Sequence, residues 1–111
     1  MSTYNKKLII KEGFLTDFVA TVRDSSGNIV DLTVYDSVKF IMVNSSDVIK
    51  VNATATFISK TAGTVTYSFV AADVDTIDTY KAYFAFYTGA DKKLASPPTY
   101  FEIQIVKDYL P

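Results

Sequence analysis

The stretch that decides the fold is GTVTYSFVAADVDTIDTYKAYFAFY, residues 63–87. In residues 64–69 an apolar side chain alternates with a threonine or a serine, and a second alternating run follows in residues 80–87. Because successive side chains of a β-strand point to opposite faces, this period of two predicts two half-buried strands. The predicted inward side chains are Val65, Tyr67, Phe69, Tyr80, Ala82, Phe84 and Phe86.

The connector between these two strands favours an immunoglobulin-like architecture. It is rich in aspartate and threonine, and it ends in Tyr80, which opens the second strand. Immunoglobulin-like sandwiches place a corner tyrosine at this point of the chain. Alanine and aspartate permit one helical turn in the connector, whereas its β-branched residues argue against a longer helix.

The rest of the chain carries turn signals at the spacing of an all-β sandwich. We expect residues 29–32 to form a short apolar segment under the sandwich edge, and residues 89–93 to form a loop. Pro97 and Pro98 cannot donate ladder hydrogen bonds, so we expect them outside a central strand. The further predicted strands span residues 6–11, 14–23, 37–43, 53–60 (an edge strand or strand junction) and 99–107.

These elements predict an all-β fold, an immunoglobulin-like antiparallel β-sandwich of about seven strands. A chain of 111 residues has the usual size of one domain, so we expect a single domain over residues 1–111. In this arrangement the strands at 37–43, 80–88 and 99–107 share one sheet, and the strand at 80–88 lies in its middle.

The overall charge and composition narrow the class of protein. Lysine plus arginine number 11 and aspartate plus glutamate number 12, which leaves a net charge of −1 without a basic stripe. We therefore expect no nucleic-acid partner. No run reaches the length of about 18 apolar residues that spans a bilayer, so we expect no membrane association. The absence of cysteine suits synthesis in a reducing cytoplasm.

The sequence offers little to a catalytic site. Histidine and cysteine are both absent, which removes the commonest general base and the thiolate nucleophile. The serines fall mainly in turns, and no glycine-rich phosphate-binding motif is present. We predict that the protein is not an enzyme and has no catalytic residues and no cofactor.

One acidic cluster, Asp73, Asp75 and Asp78, lies within six residues of the connector. Three carboxylates could together bind Ca²⁺, although their spacing does not match the EF-hand loop. Aspartates also cap turns by accepting backbone hydrogen bonds. We favour the turn-capping interpretation, predict no metal site, and leave Ca²⁺ as the alternative.

The outward face of the sheet that holds the strand at 80–88 is unusually apolar and rich in tyrosine. Tyrosines are enriched in interface hot spots, and contiguous exposed apolar patches mark partner surfaces. Two alternatives stay open: a loop or the N-terminal segment covers this face, or tyrosine simply supplies β-propensity. The predicted interface residues are Ile41, Val43, Tyr83, Tyr87, Tyr100 and Val106.

A set of turn and core positions recurs in one order along the chain: Gly13, Asp24, Gly27, Val30-Asp31-Leu32, the GTVTY run at 63–67, Ala72-Asp73, Tyr80 and Pro97. Through these positions the chain resembles, over residues 8–106, the N-terminal domain of phage baseplate upper proteins. Two departures stand out. Asp78 and Thr79 precede Tyr80, where the family usually has a glycine just before the tyrosine, and this sequence ends at Pro111, where the family continues into helical regions that hold receptor-binding proteins.

The resemblance implies a bacteriophage virion protein, made in the host bacterial cytoplasm and located in the virion. Its expected partners are other virion proteins, either the major capsid protein or tail and baseplate proteins, together with self-association. We favour a small capsid decoration protein that binds other proteins, with a tail or baseplate adaptor as the alternative. A module that binds host glycans through its tyrosines is a third hypothesis, which the lack of tryptophan weakens.

Overall fold

The computed structural model describes residues 7–24 and 26–107, with only the backbone described at residues 95–99. Eight strands and a single 3₁₀ turn, Ala71–Asp73, make up the regular structure of this part. The all-β prediction is confirmed. The strands are β1 (Lys7–Lys11), β2 (Asp17–Thr21), β3 (Ser37–Val43), β4 (Ile49–Thr54), β5 (Thr56–Ser59), β6 (Thr64–Ser68), β7 (Asp78–Thr88) and β8 (Asp91–Val106).

The strands form two sheets with the core between them. One sheet has five strands in the order β1-β8-β7-β3-β4, and the other has three in the order β2-β6-β5. The predicted central position of the strand at 80–88, between the last strand and the strand at 37–43, is confirmed. All the strand pairs are antiparallel except β1 with β8, which run parallel. The prediction of a purely antiparallel sandwich was therefore wrong at this edge. After β1 the chain crosses to the other sheet, so no hairpin fixes the direction of β1 relative to its neighbour.

The core is built from stacked aromatic rings contributed by both sheets. Phe18 lies parallel to Phe84 with ring centroids 5.8 Å apart, and Phe40 lies parallel to Tyr67 at 4.6 Å. Offset stacking of this kind adds roughly 0.5–1.5 kcal/mol per pair beyond area burial. Every inward side chain predicted from residues 63–87 is at most 6% exposed. The predicted period and facing of both strands are confirmed.

The corner tyrosine is present. Tyr80 is 1% exposed, and its hydroxyl donates a hydrogen bond of 2.8 Å to the backbone carbonyl of Thr76, four residues upstream. This is the hydrogen bond that holds the corner between the two sheets in immunoglobulin-like domains. The predicted helical turn in the same connector is the 3₁₀ turn Ala71–Asp73.

The predicted strand at 53–60 is two strands in two different sheets. The chain passes from β4 in the five-stranded sheet to β5 in the three-stranded sheet through Ala55, which is buried. The Ala55 N–H donates to the Val38 carbonyl at 2.9 Å, so it stays bonded to the first sheet at the crossing. A small residue is needed here because the backbone passes through the edge of the core.

The strand predicted at 14–23 is shorter than expected. A turn intervenes, in which the Phe14 N–H donates to the Lys11 carbonyl at 3.0 Å and Gly13 has φ +81°. Positive φ at this turn position favours glycine. Phe14 and Leu15 consequently lie outside β2 and are 47% and 62% exposed. Residues 29–32 behave as expected at Leu32, which is fully buried, but not at Ile29, which is half exposed.

The last strand is much longer than predicted, because the predicted loop at 89–93 is only a short turn around Gly89 and Ala90. Thr88 already pairs with Asp91. Pro97 and Pro98 then lie inside the bounds of β8, contrary to expectation, but the pairing steps from Phe84–Ser96 to Ala82–Phe101. Residues 97–100 therefore bulge opposite a single residue of β7, which is where a strand tolerates proline.

Candidate interaction surface

The outer face of the five-stranded sheet holds the six predicted interface residues. Residues paired across strands point to the same side of a sheet, and Ile41 pairs with Tyr83 while Ser37 pairs with Tyr87. Tyr100 lies on the same side, next to the inward Phe101. We call this surface the tyrosine face. Its predicted interface residues are Ile41, Val43, Tyr83, Tyr87, Tyr100 and Val106.

These six residues differ in how far they reach the solvent. Tyr100 is 42% exposed, whereas Ile41 is 9% exposed and the other four are half-buried. Ile41 lies outside the core cluster, so it is covered by neighbours on its own face rather than by the second sheet. The tyrosine face therefore buries part of its own side-chain surface against neighbours in the same sheet. Whether it is an interface stays a prediction.

Lysines surround the tyrosines on this face, a feature that the sequence reasoning missed. Lys7 pairs with Glu102, Lys39 pairs with Ala85, and Lys81 pairs with both Val43 and Glu102. Among the described residues of the face, lysines outnumber the acidic side chains by five to one. Period-two alternation already indicated outward lysines in β3 and β7, but only the pairing shows that they meet. The charged residues are Lys7, Lys11, Lys39, Lys81, Lys92 and Glu102.

Two of these lysines lie over tyrosine rings. The Lys39 Nζ is 5.4 Å from the ring centroid of Tyr87, and the Lys81 Nζ is 5.2 Å from that of Tyr100. Such cation–π contacts at exposed sites contribute about 0.5–1 kcal/mol each. Each contact favours the position of one ammonium group over one ring in the absence of a partner.

The outer face of the three-stranded sheet differs in chemistry. Thr66, in the central strand β6, pairs with Val19 on one side and Thr56 on the other. Val19 and Ile58 are the exposed large apolar residues here, at 46% and 55%. We call this surface the threonine face. Its residues are Asp17, Val19, Thr21, Thr56, Ile58, Thr64, Thr66 and Ser68.

In the acidic cluster, Asp73 is a buried turn cap. It is 7% exposed and accepts hydrogen bonds from the Tyr67 hydroxyl at 2.6 Å and from the Val70 N–H at 3.0 Å. Burial, together with this bond to the carboxylate, raises the pKa of Tyr67 above its usual range. The turn-capping interpretation is confirmed for Asp73.

The other two carboxylates of the cluster have separate partners. Asp75 accepts a bond of 2.6 Å from the Lys50 ammonium, which lowers the pKa of this carboxyl. Asp78 accepts from the Thr79 N–H, which lowers its pKa, and from the Ser45 hydroxyl at 3.0 Å. Within the described ranges, no three His, Cys, Asp or Glu side chains group closely enough to hold a metal ion.

A second surface feature is an apolar groove between β1 and residues 14–16. Its volume is about 430 Å³, and the exposed side chains of Phe14 and Leu15 contribute to its wall. The polar side chains in the lining are those of Lys11 and Thr16. Ligand sites combine an apolar wall with several convergent polar groups that fix orientation. This groove has too few such groups to fix the orientation of a ligand.

Comparison with known proteins assigns no family to the chain. No protein-family model matches it, and no curated protein matches it either. Within residues 7–24 and 26–107, no helix is long and apolar enough to cross a membrane.

Proposed function

We propose that this protein is a non-enzymatic structural module of a bacteriophage virion, and that it binds other virion proteins through the tyrosine face. Its proposed place is the capsid, as a small decoration protein. The observation that carries the proposal is the order β8-β7-β3, which puts three tyrosines and three aliphatic side chains on one continuous face. The resemblance to a phage domain supplies the virion part of the proposal.

The chemistry of the tyrosine face supports protein binding. Tyrosine offers a large contact area at a low entropic cost, because its side chain has only two rotatable angles. Tyr83 and Tyr87 are already half-buried against their neighbours, so docking would immobilise little that is now free. The sandwich beneath is rigid, and it presents these rings as one preordered surface.

Symmetric repetition supports the capsid as the location. A capsid offers many identical sites, so individually weak contacts of one small domain can sum through multivalency. The alternative, a tail or baseplate adaptor, follows directly from the family resemblance. Several residues that carry the resemblance are turn and corner residues: Gly13, Gly27 and Gly63 have positive φ, and Tyr80 holds the corner. These residues indicate a shared fold more strongly than a shared location on the virion.

The location is tested by quantitative mass spectrometry of purified virions, with this chain counted against the major capsid protein. We expect a number of copies comparable with the number of capsid subunits. A few copies per virion would move the protein to the tail or baseplate. Complete absence from virions would overturn the structural role altogether.

The surface is tested by truncating its rings. We expect Tyr83→Ala and Tyr87→Ala each to lower occupancy on virions, measured by co-sedimentation with particles that lack the protein, while the thermal melt stays close to that of the wild type. Ile58→Ala is the matched control, because Ile58 is an exposed apolar residue of the threonine face. If the tyrosine variants unfold, these rings belong to the core and the facing of β7 is inverted. If Ile58→Ala lowers occupancy equally, the tyrosine face is not the binding surface.

A further inference from the structure

The lysines of the tyrosine face indicate what its partner carries. We propose that the partner is a protein surface rich in aspartate and glutamate, whose carboxylates meet the ammonium groups of Lys39 and Lys81. This inference rests on the proposed function, since it assigns a partner chemistry to the same face. It adds a prediction that tyrosine content alone does not make: binding depends on charge and on salt.

Charge is distributed unevenly between the tyrosine face and the rest of the molecule. The tyrosine face carries five lysines and a single glutamate among its described residues. The whole chain has a net charge of −1, so the remainder of the molecule is net negative. Facing surfaces in protein complexes are complementary in potential, and like-charged surfaces repel. A partner patch for this face therefore has to be acidic.

Two ammonium groups of the tyrosine face are positioned over tyrosine rings before any partner binds. Lys39 and Lys81 lie over the rings of Tyr87 and Tyr100, at 5.4 Å and 5.2 Å from the ring centroids. Neither lysine has a carboxylate partner within salt-bridge distance in the described part of the chain, whereas Lys7 is bound to Glu102 at 3.4 Å. A charge that is already positioned loses less side-chain entropy when a carboxylate arrives.

Two features of the tyrosine face favour an acidic protein over a nucleic acid as its partner. Proteins that bind single-stranded nucleic acid stack bases on open aromatic ring faces within a positively charged groove. Here two of the three rings have an ammonium group over one face. Glu102 stands in the lysine row between Lys7 and Lys81, and the net charge of the chain is negative. Both features disfavour a phosphate backbone, and the observations favour carboxylates on a protein.

The test uses poly-L-glutamate as an acidic probe and two-dimensional NMR of the isotope-labelled protein. We expect amide signals to shift around Lys39 and Lys81 and not on the threonine face. The shifts should weaken as salt rises from about 0.01 M to about 0.15 M, because the Debye length falls from about 30 Å to about 8 Å. Shifts spread evenly over Lys50, Lys60 and the lysines of the face would mean non-specific attraction and would overturn the proposal.

Matched variants separate position from net charge. The double variant Lys39→Gln with Lys81→Gln removes two positive charges from the face, and the control Thr56→Glu with Ser68→Glu makes the same change of net charge on the threonine face. We expect the lysine variant to bind the probe at least about tenfold more weakly and the control to lose much less. Equal losses would show that only overall charge matters, and they would refute a defined acidic partner.

Four further results would each overturn one specific part of these proposals. Tighter binding of a single-stranded DNA oligomer than of poly-L-glutamate at the same face would replace the acidic protein with a nucleic acid. Signal shifts that depend on protein concentration without any probe would replace it with a second copy of this chain. If Tyr83→Ala loses virion occupancy while the lysine variant keeps it, the acidic partner fails and the proposed function stands. If the tyrosine face binds the probe but virions lack the protein, the placement in a phage virion fails while the acidic partner stands.

Discussion

The tyrosine face and the threonine face lie on opposite sides of one core and differ in what their side chains can do. The threonine face spans three strands of four or five residues and carries mostly hydroxyls. The tyrosine face is centred on β7 and β8, which have 11 and 16 residues, and it carries rings and ammonium groups. Threonine and tyrosine both favour strands. β-propensity therefore accounts for the threonine face, whereas the lysines above the rings of the other face go beyond it.

The hairpins of the two sheets show a related contrast. Gly63 lies in the turn between β5 and β6 at φ +67°, and a side chain there would meet the Val30 carbonyl at 2.7 Å. Gly89, in the β7–β8 hairpin, has φ +62° with no atom within 4 Å of such a side chain. The three-stranded sheet is thus held against residues 29–30 at its hairpin, while the hairpin of the five-stranded sheet is open to solvent.

The largest expected effect tests whether the two faces are assigned the right way round. Phe84 is fully buried between Phe18 and Phe40, so Phe84→Ala should lower the free energy of unfolding by about 3–5 kcal/mol in urea titration. Phe14→Ala is the control, because Phe14 is 47% exposed, and it should cost far less. A neutral Phe84→Ala would mean that the register of β7 is shifted by one residue and that Tyr83 and Tyr87 point inward.

An intermediate effect sharpens the contrast between the hairpins. Gly63→Ala should cost more than about 2 kcal/mol, because it combines left-handed strain of about 1–2 kcal/mol with a steric overlap against backbone. Gly89→Ala carries only the strain and should cost about 1–2 kcal/mol. Thermal and urea unfolding of both variants measure the difference. Equal costs would show that the close approach at Gly63 relaxes without penalty.

The smallest expected effect is a change of stability that has opposite signs at two threonines of the threonine face. The Thr66 Oγ1 is buried and has no hydrogen-bond partner in the described part of the chain, so Thr66→Val should stabilise the protein by up to about 1 kcal/mol. The Thr64 Oγ1 donates to the Ser59 carbonyl at 3.5 Å, and Thr64→Val should cost about 0.5 kcal/mol. Differential scanning calorimetry resolves the two. Destabilisation by Thr66→Val would point to a partner for this hydroxyl, such as a bound water.

Much of the fold could be predicted, because local patterns encode it. Period-two alternation identified the facing of Val65, Phe69 and Phe84 without knowledge of any partner strand. Tyr80 was predicted at the corner from its place after an aspartate-rich connector, and its hydroxyl bonds as expected. The errors fall at strand ends and crossings: the sheet switch at Ala55, the turn before β2 and the bulge in β8. The sheet switch and the bulge depend on distant segments, as the bond from the Ala55 N–H to the Val38 carbonyl shows. The turn before β2 is closed locally, by Gly13 and the bond from Phe14 to Lys11.

The candidate surface was predicted only in part. Its tyrosines and aliphatic residues follow from alternation within β3, β7 and β8. Its charge did not follow, since lysine and aspartate are scattered almost evenly along the chain and nearly cancel in the total. The pairing of β1 with β8, of β8 with β7 and of β7 with β3 brings Lys7, Lys39 and Lys81 to one face.

The sequence by itself determined the fold class, the inward and outward residues of the main strands, and the corner tyrosine, because these depend on side-chain period and local turn chemistry. The tertiary structure alone decided the parallel edge strand, the switch of strands between sheets, and the gathering of lysines around tyrosines. Those features depend on which distant strands pair and in which register. Pairing energy is shared among many residues far apart in the chain, so no single stretch of sequence records it.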